Sequence, residues 1–328
     1  MDEINLREFV RKIFNEDFQI EKIQGDASKR KYYRLFFEKN TFILMDSSYE
    51  QRNFQNFLKF SEIFEKNKIK IPKIIKKDIK KNILILEDFG DNLIYKKCNS
   101  KNFHNIYEKS IKNICKIQDI KFKNIYLYKK EKYFSESYLF FEWVLINFLN
   151  FNISNTDKKK LMKEIEYVVD NINYKKNRIV HRDYHSKNIF YKNKKIVIID
   201  YQDAVYGSPF YDLVSLLNDC YRDINTKQKN NMKNLFLDIF NSQIKIRITK
   251  DEFLHNFEIL SVQRHMKASG IFCRLSKKFS RHGYLQYMKR TLDYIIKSSS
   301  NYDNLKLINF YAKEAKIKFN ESNNFSGR

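Results

Sequence analysis

Five short apolar runs, the first three alternating, crowd into the first 90 positions, and a chain punctuated that often builds a sheet there. The runs DFQIEKI, RKYYRLFFE and NTFILMD are separated by QGDASK and EKN, as in an antiparallel meander. EQRNFQNFLKFSEIFEKN follows, with Phe54, Phe57, Leu58, Ile63 and Phe64 near a helical repeat, and then come IPKIIKKD and NILILED. The last run ends at Phe89-Gly90-Asp91, a turn or hinge. Ahead of the sheet, Leu6, Phe9, Val10, Ile13 and Phe14 recur at helical spacing, which predicts an amphipathic helix and no signal peptide. From residue 91 to about residue 175 the pattern is helical. Two further strands, NIFY and KIVIID, then flank a KNKK turn. After Gly207 and Pro209 the pattern is helical again, down to a polar, frayed ESNNFSGR. The expected fold class is α+β, with a small antiparallel-sheet lobe over residues 1–90 and a larger, mainly helical lobe over residues 91–328.

Charge points elsewhere at first sight. The formal net charge is +24, from 63 Lys+Arg against 39 Asp+Glu, a balance that usually signals nucleic acid or an anionic membrane. The lysines, however, are scattered (KKDIKK, YKKNR, YKNKK) and form no periodic face. The chain also holds 29 Phe and 22 Tyr but only 6 Gly, 2 Pro and 1 Trp, the pattern that AT-rich coding produces. The charge therefore reads as coding bias, and no specific nucleic acid is expected as partner. Where Gly and Pro are scarce, those present mark backbone positions that other residues do not fit, which gives weight to Gly25, Gly90, Gly207 and Pro209.

Cys98, Cys115, Cys220 and Cys273 are widely spaced with no C-x-x-C, so they read as buried thiols of a reducing compartment. The most apolar stretch, YLFFEWVLINFLNF (138–151), is interrupted by Glu142 and Asn147 and is too short to span a bilayer. These features predict a cytoplasmic protein that uses no membrane, and a monomer is expected.

The chemistry concentrates in HRDYHSKNIF (181–190). A zinc site would need Glu after the first His of an H-E-x-x-H helix, and Arg182 stands there. Ser186 lacks the G-x-S-x-G elbow of a nucleophile, and no cysteine lies close in sequence. The third reading is H-R-D-x-x-x-x-N followed by a strand ending in Asp. Phosphoryl transfer needs a group to orient the incoming hydroxyl, and oxygen ligands that hold Mg²⁺ against phosphates. Asp183 suits the first task as catalytic base. Asn188 and Asp200 suit the second, because a hairpin between them would bring their oxygens together.

With these residues the chain resembles the aminoglycoside phosphotransferase-like kinases, relatives of the protein kinases that act on small hydroxylated molecules. It is most similar to the bacterial anomeric kinases of N-acetylmuramate and N-acetylglucosamine. The resemblance is carried by GDASKRKYYRL, FILMD, LILEDFGD, HRDYHSKNIF, IIDYQDAVYGSPFYDLVSLLND and QRHMKASGIFCRL. It implies a protein-kinase-like two-lobed fold, with ATP and Mg²⁺ as cofactors and a sugar as the small-molecule partner.

Residue by residue, the resemblance implies that Gly25, Asp26, Ala27, Ser28 and Lys29 form the turn over the ATP phosphates. Glu87, Asp88 and Phe89 would be the interlobe hinge beside adenine. Asp212 would brace the catalytic loop through its backbone, or serve only as a helix-terminus carboxylate. TFILMD lacks the Lys that protein kinases place on the third strand. Arg30, Lys31 or Arg34 could supply that cation, and Glu50 is not assumed to pair with it.

Substrate contacts are expected from Asp203, from Arg264 and His265 beside Gln263, and from Glu142 beside Trp143. A polar helix face and a core Trp are the simpler readings of the last two groups. His181 and His185 read as structural hydrogen-bonding residues. The expected function is ATP-dependent phosphorylation of the anomeric hydroxyl of an N-acetylated amino sugar in cell-wall (peptidoglycan) recycling. The alternatives are a kinase of another small molecule such as an aminoglycoside, and a non-catalytic nucleotide-binding or nucleic-acid-binding module.

Overall fold

The computed structural model describes residues 3–23, 30–172, 177–243 and 247–325. Two compact units emerge. The first comprises residues 1–97 and 188–203, the second residues 98–187 and 204–328.

In the first unit the five runs form one antiparallel sheet of β1 (Gln19–Ile23), β2 (Lys31–Phe36), β3 (Thr41–Asp46), β4 (Ile74–Asp78) and β5 (Ile83–Glu87), in the order β1-β2-β3-β5-β4. Register pairs Tyr33 with Leu44 and Leu44 with Ile85. Alternation sends these, with Leu35 and Ile83, to one face, where they bury Leu6 and Val10 of helix α1 (Glu3–Phe14). Tyr32 and Arg34, between those positions on β2, belong to the opposite face. Helix α2 (Gln51–Lys66) connects β3 to β4 and buries Phe54, Phe57, Phe60 and Phe64.

Residues 188–203 join this unit, although they fall well beyond the boundary expected near residue 90. Strands β7 (Ile189–Lys192) and β8 (Lys195–Ile198) form a hairpin whose two turn residues, Asn193 and Lys194, both have positive φ (51° and 59°). That is the backbone of a two-residue turn whose twist matches its strands. Main-chain bonds hold the hairpin in place: Tyr191 N–H donates to the Asn92 carbonyl at 2.9 Å and Ile198 N–H to the Lys70 carbonyl at 3.1 Å. The short helix α3 (Ile94–Lys97) ends the first unit's N-terminal segment.

The second unit is helical: α4 (Phe103–Gln118), α5 (Lys130–Leu139), α6 (Asn155–Asp170), α7 (Tyr211–Leu217), α8 (Thr226–Ser242), α9 (Lys250–Phe279), α10 (Met288–Ser299) and α11 (Lys306–Phe325). It also carries a two-stranded pair, β6 (Arg178–Val180) with β9 (Val205–Gly207). Ser154, Asn225 and Thr249 cap α6, α8 and α9 by accepting the N–H three residues on. The C-terminal helix runs to Phe325, so residues 321–325 of the tail expected to fray are helical. All four cysteines are buried free thiols. Among the described residues no helix is long and apolar enough to cross a membrane.

One segment departs from a simple α-helical reading. After Leu139 the backbone widens into a π-helix, Phe140–Phe148, within the stretch expected to be helical. Its exit keeps the wide pattern, with Leu149 N–H donating to the Val144 carbonyl five residues back at 3.0 Å. The start of that segment coincides with a close approach to helix α9. A Cβ on Gly270, in the middle of α9, would lie 2.5 Å from the Leu139 carbonyl carbon and oxygen. A mid-helix glycine costs about 1 kcal/mol against alanine, and here close backbone approach requires it. Gly270→Ala should therefore lower unfolding stability by about 3 kcal/mol in a urea titration. Gly283→Ala, with open space around the added carbon, should change it by less than about 0.5 kcal/mol.

Candidate active site

In the second unit, the HRDYHSKN loop is fixed by two buried carboxylates. Asp212, in the first turn of α7, accepts the backbone N–H of His181 at 2.7 Å and of Arg182 at 2.9 Å. This is the bracing role open to Asp212 from sequence. Asp219, just after α7, does the same further along, accepting Ser186 N–H and Tyr221 N–H, both at 2.8 Å. Asp219 lies inside the quoted LLND segment but carried no role. His181 is fully buried; its Nδ1 accepts Asp183 N–H at 3.3 Å and its ring meets Tyr184 edge-on. His185 is buried with its ring 4.8 Å from that of Tyr221.

The clamp holds a conformation that a free chain avoids. Arg182 has φ of +76°, a region that costs a non-glycine residue about 1–3 kcal/mol and persists only where surroundings impose it. Its guanidinium donates to Glu136 Oε1 at 2.6 Å and lies 4.7 Å from the centre of the Tyr128 ring. The Tyr128 hydroxyl donates to the other Glu136 oxygen. Lys132 Nζ is 3.3 Å from Glu136, and Lys267 Nζ lies 3.9 Å from Glu136 and 3.7 Å from Asp183 Oδ1.

Asp183 thus sits beside cations, with 35 % of its side chain open. Burial opposes its charge, but Lys267 and Arg182, then His185 and Arg264, hold its carboxyl well below the usual carboxylate range. Glu136 follows the same pattern: burial would raise it, and Lys267 and Arg182 bring it below its ordinary value. Neither Glu136 nor Lys267 was expected from sequence.

Arg264 and His265 do not present open groups. The Arg264 guanidinium is buried and donates to the Ser215 hydroxyl and towards the Cys220 sulfur. The fully buried His265 ring lies between the Asn218 and Ser261 carbonyl oxygens, at 2.7 and 2.6 Å. Burial and Arg264 push its imidazole down to about 3, against the opposite pull of those carbonyls. Both side chains bind α9 to the end of α7, which is the polar-helix-face reading in a buried form. Gln263 is also buried, with Nε2 donating to the Tyr133 carbonyl. Glu142 and Trp143 lie half-buried on the π-helix, where the Glu142 carbonyl accepts from Asn147.

In the first unit a second polar cluster forms around Arg30, which is 5 % exposed. Its guanidinium reaches Glu50 Oε2 at 3.4 Å, Asp200 Oδ1 at 2.9 Å, Gln202 Oε1 at 2.9 Å and the Tyr32 hydroxyl at 3.1 Å. Gln202 in turn donates to Asp200 at 3.0 Å and to Asp203 at 3.2 Å. Glu50 therefore pairs with a basic residue after all, but with Arg30 before β2. Of the candidate cations, Arg34 is taken by Asp88, with Nε 2.9 Å from Oδ2, and lies near Asp91 at 3.7 Å.

Asp200 also has a left-handed φ of +64°. The next residue, Tyr201, is fully buried against α2, stacked on Phe57 and sharing a 2.8 Å hydrogen bond with Ser61. The β7–β8 register pairs Ile189 with Ile198, and Ile199 N–H donates to the Asn188 carbonyl at 3.0 Å. Asn188 and Asp200 thereby stand at the same end of one hairpin. An amide and a carboxylate oxygen donor there fit Mg²⁺, which takes one or two protein oxygens and completes its shell with phosphate and water. Among the described residues no three His, Cys, Asp or Glu side chains gather as a metal-holding group.

Gly25, Asp26, Ala27, Ser28 and Lys29 lie outside the described residues. In the segment expected to be the hinge, Glu87 N–H is committed to the Lys73 carbonyl at 2.9 Å, and Gly90 N–H, at a φ of +60°, to Asp88 at 2.8 Å. Phe89 is buried with its ring 5.7 Å from Phe190.

The Glu136 network has a measurable consequence. A carboxyl depressed in the folded state contributes stability above its unfolded value near pH 4, and that contribution is lost as pH falls through the folded value. Glu136→Gln leaves Arg182 and Lys267 without their shared anion and should cost about 3 kcal/mol at pH 7. Unfolding titrations from pH 7 to 3 should show that difference shrinking below about pH 4. A constant difference across the range would contradict the network.

A model of the phosphotransferase enzyme family (APH) matches residues 19–234. The N-acetylmuramate/N-acetylglucosamine kinase of Pseudomonas putida is 24% identical over 83% of this chain and 80% of its own length. The protein of the same name from Neisseria meningitidis serogroup B is 23% identical over 92% of each chain. Among solved structures, ADP-bound aminoglycoside phosphotransferase APH(2'')-Ib superposes with a TM-score of 0.59 at 13% identity, covering 90% of this chain and 97% of its own. That likeness makes the fold protein-kinase-like. With a family match across most of the chain, around a braced Asp183 loop, the chain belongs to the phosphotransferase enzyme family.

Proposed function

We propose that the protein transfers the γ-phosphoryl group of ATP to the anomeric hydroxyl of N-acetylmuramate or N-acetylglucosamine, giving the sugar 1-phosphate. The observation that carries the reading is Asp183, an ionised and partly open carboxylate on a loop whose backbone is locked by Asp212. The choice of sugar is supported by the two relatives and their coverage of this chain. Cytoplasmic peptidoglycan recycling is the setting that fits such a product.

Asp183 accepts a hydrogen bond from the sugar hydroxyl and aligns its oxygen with the γ-phosphorus. The new P–O bond forms as the bond to the β,γ-bridging oxygen breaks; the hydroxyl proton passes to Asp183 and ADP leaves. A hemiacetal hydroxyl is more acidic than an ordinary alcohol, which suits a carboxylate kept weakly basic by its cations. Asn188 and Asp200 are the residues that would hold Mg²⁺, which when bound neutralises charge building on the phosphates. Arg30, steadied by Glu50, is the cation available in place of a third-strand Lys.

Phosphorus NMR of the protein with ATP, Mg²⁺ and, separately, N-acetylmuramate, N-acetylglucosamine and kanamycin tests this reading. A new phosphoester coupled to the anomeric proton in either sugar tube is the expected result. A phosphoester only with kanamycin would overturn the substrate and keep phosphotransfer.

A further inference from the structure

Lys267 is a buried lysine with two carboxylates around it; it lies inside the QRHMKASGIFCRL segment, but the family resemblance assigned it no role. It sits on α9, one turn beyond Arg264, with its side chain 11 % exposed. Burial works against its charge, yet Asp183 and Glu136 raise its basicity, so it stays an ammonium. Its nitrogen lies 3.7 Å from Asp183 and 3.9 Å from Glu136, within ion-pair range of both. Glu136 in turn fixes Arg182, the residue adjoining Asp183, whose left-handed backbone turns the loop. Hence one carboxylate anchors both cations that flank the base.

We propose that Lys267 is the positioning residue of Asp183: its ammonium, held by Glu136, sets the carboxylate's aim and keeps it ionised when the acceptor hydroxyl binds. The inference rests on the phosphotransfer reading and adds what controls its base. The geometry accounts for a lysine at this depth. A structural salt bridge alone would be satisfied by Glu136, already engaged by Arg182 and Lys132, whereas the approach to Asp183 puts positive charge beside the one carboxylate of the network that is substantially open. Other charged groups also act on Asp183. Arg182, His185 and Arg264 lower it in the same direction, and Asp212, on α7, couples to it with opposite effect. Lys267 is the foremost of the favourable group.

The test is the pH dependence of kcat for Lys267→Met and Lys267→Arg, with the acceptor that the wild type phosphorylates. Without the ammonium, Asp183 takes up a proton more readily, so the acid limb of kcat moves to higher pH. Lys267→Met should lose about 10²-fold in kcat and show an acid limb raised by about one pH unit or more, with nucleotide affinity little altered. Lys267→Arg, which keeps the charge, should restore most of the rate and the low acid limb. A Lys267→Met enzyme with the wild-type acid limb, whatever its rate, would reduce Lys267 to packing and overturn the proposal. If Lys267→Met fails to fold, as judged by its melting curve, Lys267→Arg decides: an acid limb displaced upward despite the retained charge refutes it, and an unmoved limb supports it. A wild type inert with every acceptor would instead refute the phosphotransfer reading on which this rests.

Discussion

One buried carboxylate organises the chemistry of the helical unit. Asp212 is fully buried, and burial pushes its carboxyl above the usual range, so an ionised group there needs close donors. It has two, the consecutive backbone N–H groups of His181 and Arg182. Backbone donors do not change rotamer, so this contact dictates where the chain turns. Arg182 then adopts its left-handed conformation, and Asp183 emerges beside Lys267. Glu136 completes the arrangement from α5 by holding Arg182 and Lys267 at once. Loss of a partner in such a cluster leaves charge buried without compensation, which is why these polar residues act as a set.

The sheet unit solves a parallel problem by other means. Asp200 also has a left-handed backbone, and it too is followed by an anchor: the Tyr201 ring buried against Phe57 and hydrogen-bonded to Ser61 of α2. Arg30 ties Asp200 to Glu50 at the start of the same helix. The orientation of α2 and the placement of Asp200 are therefore coupled within one unit. Protein kinases use a third-strand Lys for such a pairing; here a guanidinium from before β2 takes it up, and its several donors allow it to hold Glu50, Asp200 and Gln202 together.

Local pattern carried much of this. Alternation in RKYYRLFFE matches a strand with one face buried, where period 2 leaves a clear mark, whereas NILILED shows as a continuous apolar run because its strand is buried on both faces. The spacing of HRDYHSKN and the strand-terminal Asp likewise singled out Asp183, Asn188 and Asp200. Glu136 left no such trace, and Lys267, although inside QRHMKASGIFCRL, carried no role: each is an ordinary charged residue in a helix, and only folding brings them to a loop distant in sequence. Phe140–Phe148 was read only as helical, because an almost wholly apolar stretch shows no contrast between faces from which to tell a π-helix from an α-helix. Arg264 and His265 looked like substrate ligands since sequence does not reveal which face of a 30-residue helix is enclosed on all sides.

The proposed division of labour has Asp183 serving the acceptor and Asp200 the metal-bound nucleotide. Calorimetric titration of a non-hydrolysable ATP analogue, with and without Mg²⁺, into Asp183→Ala and Asp200→Ala, alongside turnover, addresses it directly. Asp183→Ala should lose at least about 10²-fold in turnover yet bind the nucleotide within a few-fold of wild type. Asp200→Ala should lose the increment in affinity that Mg²⁺ provides. Near-wild-type turnover in the first variant, or undiminished Mg²⁺ dependence in the second, would contradict the account.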